Sequence, residues 1–171
     1  MKEPTRQVLI GGASKAELLA RLQAARVQLN PIAHALFAVD RFTTTAAASA
    51  LEVAFVTVEK LGLGTGATFG RIIECAAAAG LSLCPLELGP HLRLQFMDQA
   101  EGSVGQPVSQ HCAPAGAVTI ASAPLCDDDE TPKGFYLRRI EGALWLRGYR
   151  SWPGHVWSPG DVFVFAVDAK R

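Results

Sequence analysis

The chain has 171 residues, of which 16 are Lys or Arg and 16 are Asp or Glu, so its formal net charge is zero. With 49% hydrophobic and 19% charged residues the composition is that of a globular protein and not of a disordered one. The lack of a basic excess argues against a dedicated nucleic-acid binder. No apolar run approaches the roughly 20 residues of a membrane span. Residues 1–6 are polar and Val8-Leu9-Ile10 is too short for a signal-peptide core, so no targeting segment and no membrane association are expected. The expectation is one cytoplasmic domain over residues 1–171.

Gly11-Gly12 breaks the short apolar start. Ser14 with Glu17 three residues on reads as a capping box opening a first helix. Leu18, Leu19, Leu22 and Val27 supply its apolar stripe. Asn30-Pro31 opens a second, shorter helix, with Pro at the first helical position. The pair reads as a packing hairpin. A DNA-reading helix-turn-helix is disfavoured, because the second helix offers only His34 as a polar reader. Residues 43–49 read as a Thr/Ala-rich linker, and residues 51–58, alternating and β-branched, as a strand.

Residues 61–68 form a Gly-rich loop leading into a helix near 68–79, with Thr68 as N-cap and Gly80 as terminator. Helix starts attract anions, but Gly66-Ala67-Thr68 lacks the lysine of a phosphate loop. Gly64, Gly66 and Gly70 also miss the dinucleotide spacing. Residues 81–86 are a short apolar segment. Residues 91–97 alternate Leu92, Leu94 and Phe96 against His91, Arg93 and Gln95, which predicts a half-buried strand. Residues 98–114 read as a long loop, 116–122 as a strand, and 127–130 as a solvated acidic loop without calcium-loop spacing.

The most telling stretch is 133–149. It predicts a β-hairpin turning on Glu141-Gly142. Strand alternation puts Trp145, Arg147 and Tyr149 on one face and Leu144 and Leu146 on the other. Residues 155–161 make a turn around His155 and Trp157, and residues 162–167 a closing strand. Leu92, Leu94, Phe96, Leu144, Leu146, Val162 and Val164 are the expected core.

The four cysteines, Cys75, Cys84, Cys112 and Cys126, show no metal-site spacing, and reduced thiols are expected. Cys112 beside His111 is a nucleophile candidate only if the loop brings base and thiol together. No metal and no cofactor are implied.

If the predicted strands share a sheet and a pleat phase, Arg93 and Gln95 join Tyr136, Arg138, Trp145, Arg147 and Tyr149 on one arginine and aromatic plate. Guanidinium groups grip carboxylates and phosphates at two points, and flat rings stack on planar ligands. The same residues also stabilise sheets with no ligand at all. Glu87 and His91 form a candidate acid–base pair, although no nucleophile accompanies them.

Residues 84–95 (Cys84-Pro-Leu-Glu-Leu-Gly-Pro-His-Leu-Arg-Leu-Gln95) and 132–149 resemble two signature stretches of a family of short, uncharacterised bacterial proteins. The helix from Ser14 and the segment Gly66-Ala-Thr-Phe69 are similar as well. The resemblance implies a bacterial cytoplasmic protein and supplies no catalytic residues. A helicase label attached to the family finds no support here, since the chain has no phosphate-loop lysine and is too short for two motor domains.

Together these features predict an α+β fold: two N-terminal helices, one central helix, and a mostly antiparallel sheet built chiefly from the C-terminal half. The expected function is a non-catalytic binding module whose arginine and aromatic face takes a polar or anionic small ligand or a peptide. The alternatives are a small enzyme using Glu87 and His91 and a nucleic-acid accessory protein.

Overall fold

A computed structural model describes residues 4–102 and 113–168. The pair His111 and Cys112 lies outside the described residues. In chain order the strands are β1 (Thr5–Ile10), β2 (Gln28–Leu29), β3 (Ser49–Thr57), β4 (Ala67–Thr68), β5 (Leu81–Ser82), β6 (Val118–Ile120), β7 (Gly134–Ile140), β8 (Ala143–Tyr149), β9 (Val156–Trp157) and β10 (Val162–Val167). The helices are α1 (Lys15–Ala24), α2 (Pro31–Ala38), α3 (Phe69–Ala78) and α4 (Leu88–Gln95), with a 3-10 turn at Glu59–Leu61.

The fold is α+β around a mixed sheet in the order β1-β3-β10-β6-β7-β8-β2, with β5 also on β10. The expected antiparallel character is corrected at two joints. β6 runs parallel to β10, and β2 runs parallel to β8. Both joints link strands far apart in sequence, so hairpin signals could not show them. β4 and β9 form a separate two-stranded arm.

Pleat alternation sorts the sheet into two faces. On β10, Val164 and Ala166 face one core with Val8, Val53, Ile120, Leu137 and Leu146, against the buried sides of α1, α2 and α4. Phe163 and Phe165 face the other with Val56, Ala121 and Trp157, against Ile72 and Ala76 of α3.

Local chemistry sets the N-terminal helices. Ser14 accepts from the Glu17 N–H while the Glu17 carboxylate accepts from the Ser14 N–H, a complete capping box. Asn30 caps α2 by accepting from the Ala33 N–H at 2.9 Å. The same buried amide accepts from the Gly148 N–H at 2.8 Å and donates to the Gly148 carbonyl at 3.0 Å, fastening α2 to β8. Gly148 is required there: a Cβ would lie 2.8 Å from the Ala33 nitrogen and the Ile32 carbonyl carbon.

The main correction concerns residues 91–97. His91 to Gln95 belong to α4 and not to a strand, and Phe96 is its C-cap. Alternation over six residues fits a strand, but Leu88 and Leu92 also recur at helical spacing. Pro90 falls in the first turn, where its missing N–H costs nothing. Burial then decides: every residue from Leu88 to Arg93 is buried, with α4 touching α1, β1, β7 and β8. Among the described residues there are therefore four α-helices, one more than expected. β1, read only as a short apolar start, is a full edge strand paired with β3.

Candidate functional site

The hairpin turns on Glu141 and Gly142, both at positive φ (51° and 77°), which matches the right-handed twist of its strands. This turn sets the register. Tyr136 lies opposite Arg147, Arg138 opposite Trp145, and Gly134 opposite Tyr149. The five candidate residues of the hairpin thus share one face, while Phe135, Leu137 and Leu146 point into the opposite core. All five are half-buried.

Arg147 is the centre of this face. Its guanidinium carbon lies 5.0 Å from the Trp145 ring centroid and 5.9 Å from that of Tyr136. Its Nε is buried with no hydrogen-bond acceptor among the described residues. Burial raises the Tyr136 hydroxyl pKa, and the charges of Arg147 and Arg138 oppose that rise.

The aromatic series continues past the hairpin. Tyr136 contacts Tyr149 at 6.4 Å between centroids, Tyr149 meets Trp157 edge-on at 5.7 Å, and Trp157 meets His155 edge-on at 4.9 Å. A cavity of about 180 Å³ opens along this series, lined by Thr119, Tyr136, Tyr149, Arg150, His155 and Trp157 among others. Thr119 and Arg150 carry no signal in the sequence. The only available signal was the aromatic pair His155 and Trp157, which read as a packed loop.

Arg93 and Gln95 do not join this face, because α4 carries them elsewhere. Arg93 is fully buried. It donates to Gln99 Oε1 at 2.6 Å, to the Trp145 carbonyl at 3.4 Å and to the Phe96 carbonyl. Burial, with the nearby Arg139 charge, pulls its pKa down to about 10. Gln95 lies on the β1 edge, where its amide pairs with the backbone of Leu9.

Glu87 and His91 do come together, with Glu87 Oε2 and His91 Nε2 3.8 Å apart. Both are buried, at 2% and 5% exposure, and both are turned to main chain. Glu87 accepts from the Thr45 N–H and, at 2.8 Å, from the Thr45 hydroxyl. His91 Nε2 accepts from the Gly11 N–H at 3.1 Å. That bond places the neutral imidazole proton on Nδ1. Burial lowers the His91 pKa; Glu87 raises it and Arg21 lowers it further. This is a latch joining three segments, and a proton-transfer role would need these bonds to break first.

Cys84 is buried and its thiol is pushed up to about 12 by burial, so it is an inert packing residue. Among the described residues no group of three or more His, Cys, Asp or Glu could hold a metal ion. No helix among them is long and apolar enough to cross a membrane. Comparison with protein families, curated proteins and solved structures finds no match.

Proposed function

We propose that the protein is a non-catalytic bacterial binding module, working in the cytoplasm, whose hairpin face takes a polar or anionic small ligand or a peptide end. The observation that carries this reading is Arg147. It stacks beside two aromatic rings, forms no ion pair among the described residues, and keeps a buried Nε without an acceptor. Its charge is oriented but not matched by a carboxylate among the described residues. An arriving carboxylate or phosphate would gain a charge-assisted bond to a guanidinium already held in place. The adjacent cavity past Tyr136 leads to Arg150 and His155, which extends the same chemistry along the aromatic series.

The test uses citrate and sulfate as probes, read by thermal unfolding and by amide NMR shifts. Wild type is expected to gain thermal stability saturably with citrate, with shift changes centred on β7 and β8. Arg147→Ala is expected to lose that gain while its unliganded unfolding stays near wild type. Because sulfate also stabilises proteins generally by exclusion from their surfaces, equal gains in variant and parent would end the proposal.

A further inference from the structure

A second cavity lies beyond Tyr149, away from Arg147. It encloses about 500 Å³, within the 300–1,000 Å³ common for small-molecule sites. Tyr149, Ser151 and Trp157 line both this cavity and the smaller one. Its other surfaces are largely flat and apolar, from Phe69, Ile73, Trp152 and Pro153. Tyr149 is ringed so closely that burial alone raises its hydroxyl pKa.

The polar groups of this cavity are mostly donors. Ser122, only 2% exposed, lines it with its hydroxyl unpartnered among the described residues. Trp157, 6% exposed, also lines it, and its buried indole N–H has no acceptor among the described residues. The first turn of α3 also opens here, through Thr68, Phe69 and Gly70. Thr68 is its N-cap, yet the Thr68 side chain makes no capping bond, and no acidic residue stands in that turn. The positive end of the helix is therefore left without its usual side-chain acceptor. Lys133 and Asp127, also on the wall, oppose each other in sign, so the helix end and the two orphaned donors set the preference.

The geometry points to a binding site for a planar aromatic carboxylate: a flat ring between Trp152, Tyr149 and Phe69, and a carboxylate taking up the donors at Ser122, Trp157 and the α3 N-terminus. Buried donors without acceptors are rare in folded proteins. A ligand rich in acceptors and flat in body fits both the polar and the apolar parts of this lining. The site is independent of Arg147, so it stands or falls separately from the hairpin-face reading.

The test uses 2-naphthoate, with 2-naphthalenemethanol as the uncharged counterpart, read by quenching of tryptophan emission and by calorimetry. Wild type is expected to bind 2-naphthoate saturably and to bind the alcohol about tenfold or more weakly. Ile73→Trp, which fills the cavity from α3, is expected to weaken 2-naphthoate by at least about tenfold. Gly70→Leu gives a second blocking variant, since a Cβ at Gly70 meets nothing within 4 Å and its φ is ordinary. Ser122→Ala is expected to weaken binding several-fold. Absence of saturable binding up to the solubility of the probe would overturn the proposal. So would undiminished binding in both blocking variants, or equal affinity for acid and alcohol.

Discussion

Gln95 and Leu9 are joined as if the glutamine side chain were a strand residue. Its Nε2 donates to the Leu9 carbonyl at 2.7 Å and its Oε1 accepts from the Leu9 N–H at 2.9 Å. The side chain thereby satisfies one step of the open edge of β1. Arg6 adds to the cover by donating to the Gln95 carbonyl and pairing with Asp98, both at 3.1 Å. An edge treated in this way is a poor template for a second chain. Gln95→Ala should cost about 1–2 kcal/mol, the worth of two such bonds, measured by urea unfolding. Gln95→Glu should cost a similar amount, because it keeps the acceptor but loses the donor.

Gly148 and Asn30 form the corresponding lock on the other side of the molecule. Gly148→Ala would drive a methyl into the backbone of Ile32 and Ala33, and backbone cannot swing aside as a side chain can. The expected loss is about 3 kcal/mol. Asn30→Asp should also destabilise, since it sets a carboxylate oxygen against the Gly148 carbonyl that the amide now donates to. Chemical denaturation of both variants, with a helix probe on α2, checks these outcomes.

His91 predicts an acid sensitivity. Its folded pKa lies below the ordinary imidazole value of 6.5, chiefly through burial. The unfolded chain therefore takes up the proton first as pH falls. Stability should decline as pH drops below about 6.5 and continue to decline until the folded imidazole itself titrates. Protonation at Nε2 also removes the acceptor used by the Gly11 N–H. His91→Gln, which keeps an acceptor but does not titrate, should flatten the unfolding midpoint between pH 7 and pH 5. A variant with the wild-type slope would assign the acid sensitivity to other groups.

Arg93 and Arg147 should behave as opposites. Arg93→Ala removes a fully buried side chain and three hydrogen bonds to Gln99, Trp145 and Phe96, and should cost about 2–4 kcal/mol. Arg147→Ala removes a half-exposed stack worth less than about 1 kcal/mol. Guanidinium chloride unfolding of the two variants side by side measures the difference.

Much of the sheet face was legible because its signals are local. The hairpin follows from an acidic-Gly turn flanked by alternating residues, and its register alone brings Tyr136, Arg138, Trp145, Arg147 and Tyr149 to one side. The capping box at Ser14 and the Asn30-Pro31 helix start are likewise encoded within four residues. The α4 segment was not legible in this way. Its six alternating residues satisfy both periodicities, and only the enclosure of Leu88 through Arg93 between α1 and the sheet selects the helix. With that choice, Arg93 left the candidate site for the core.

The larger cavity was illegible for a related reason. Its lining comes from α3, from the segment around Ser122 to Asp127, and from residues 149–157, and no short motif records that these segments meet.

What the amino-acid order determined by itself was the pleat phase and turn type of the hairpin and the starts of α1, α2 and α3, since each depends on residues within one or two turns of chain. What only the tertiary structure decided was the parallel joining of β6 to β10 and β2 to β8, the burial of Arg93, the meeting of Glu87 with His91, and the space between α3 and the aromatic series. Those depend on contacts between distant segments, whose closure entropy is met by burying a common core and not by any local preference.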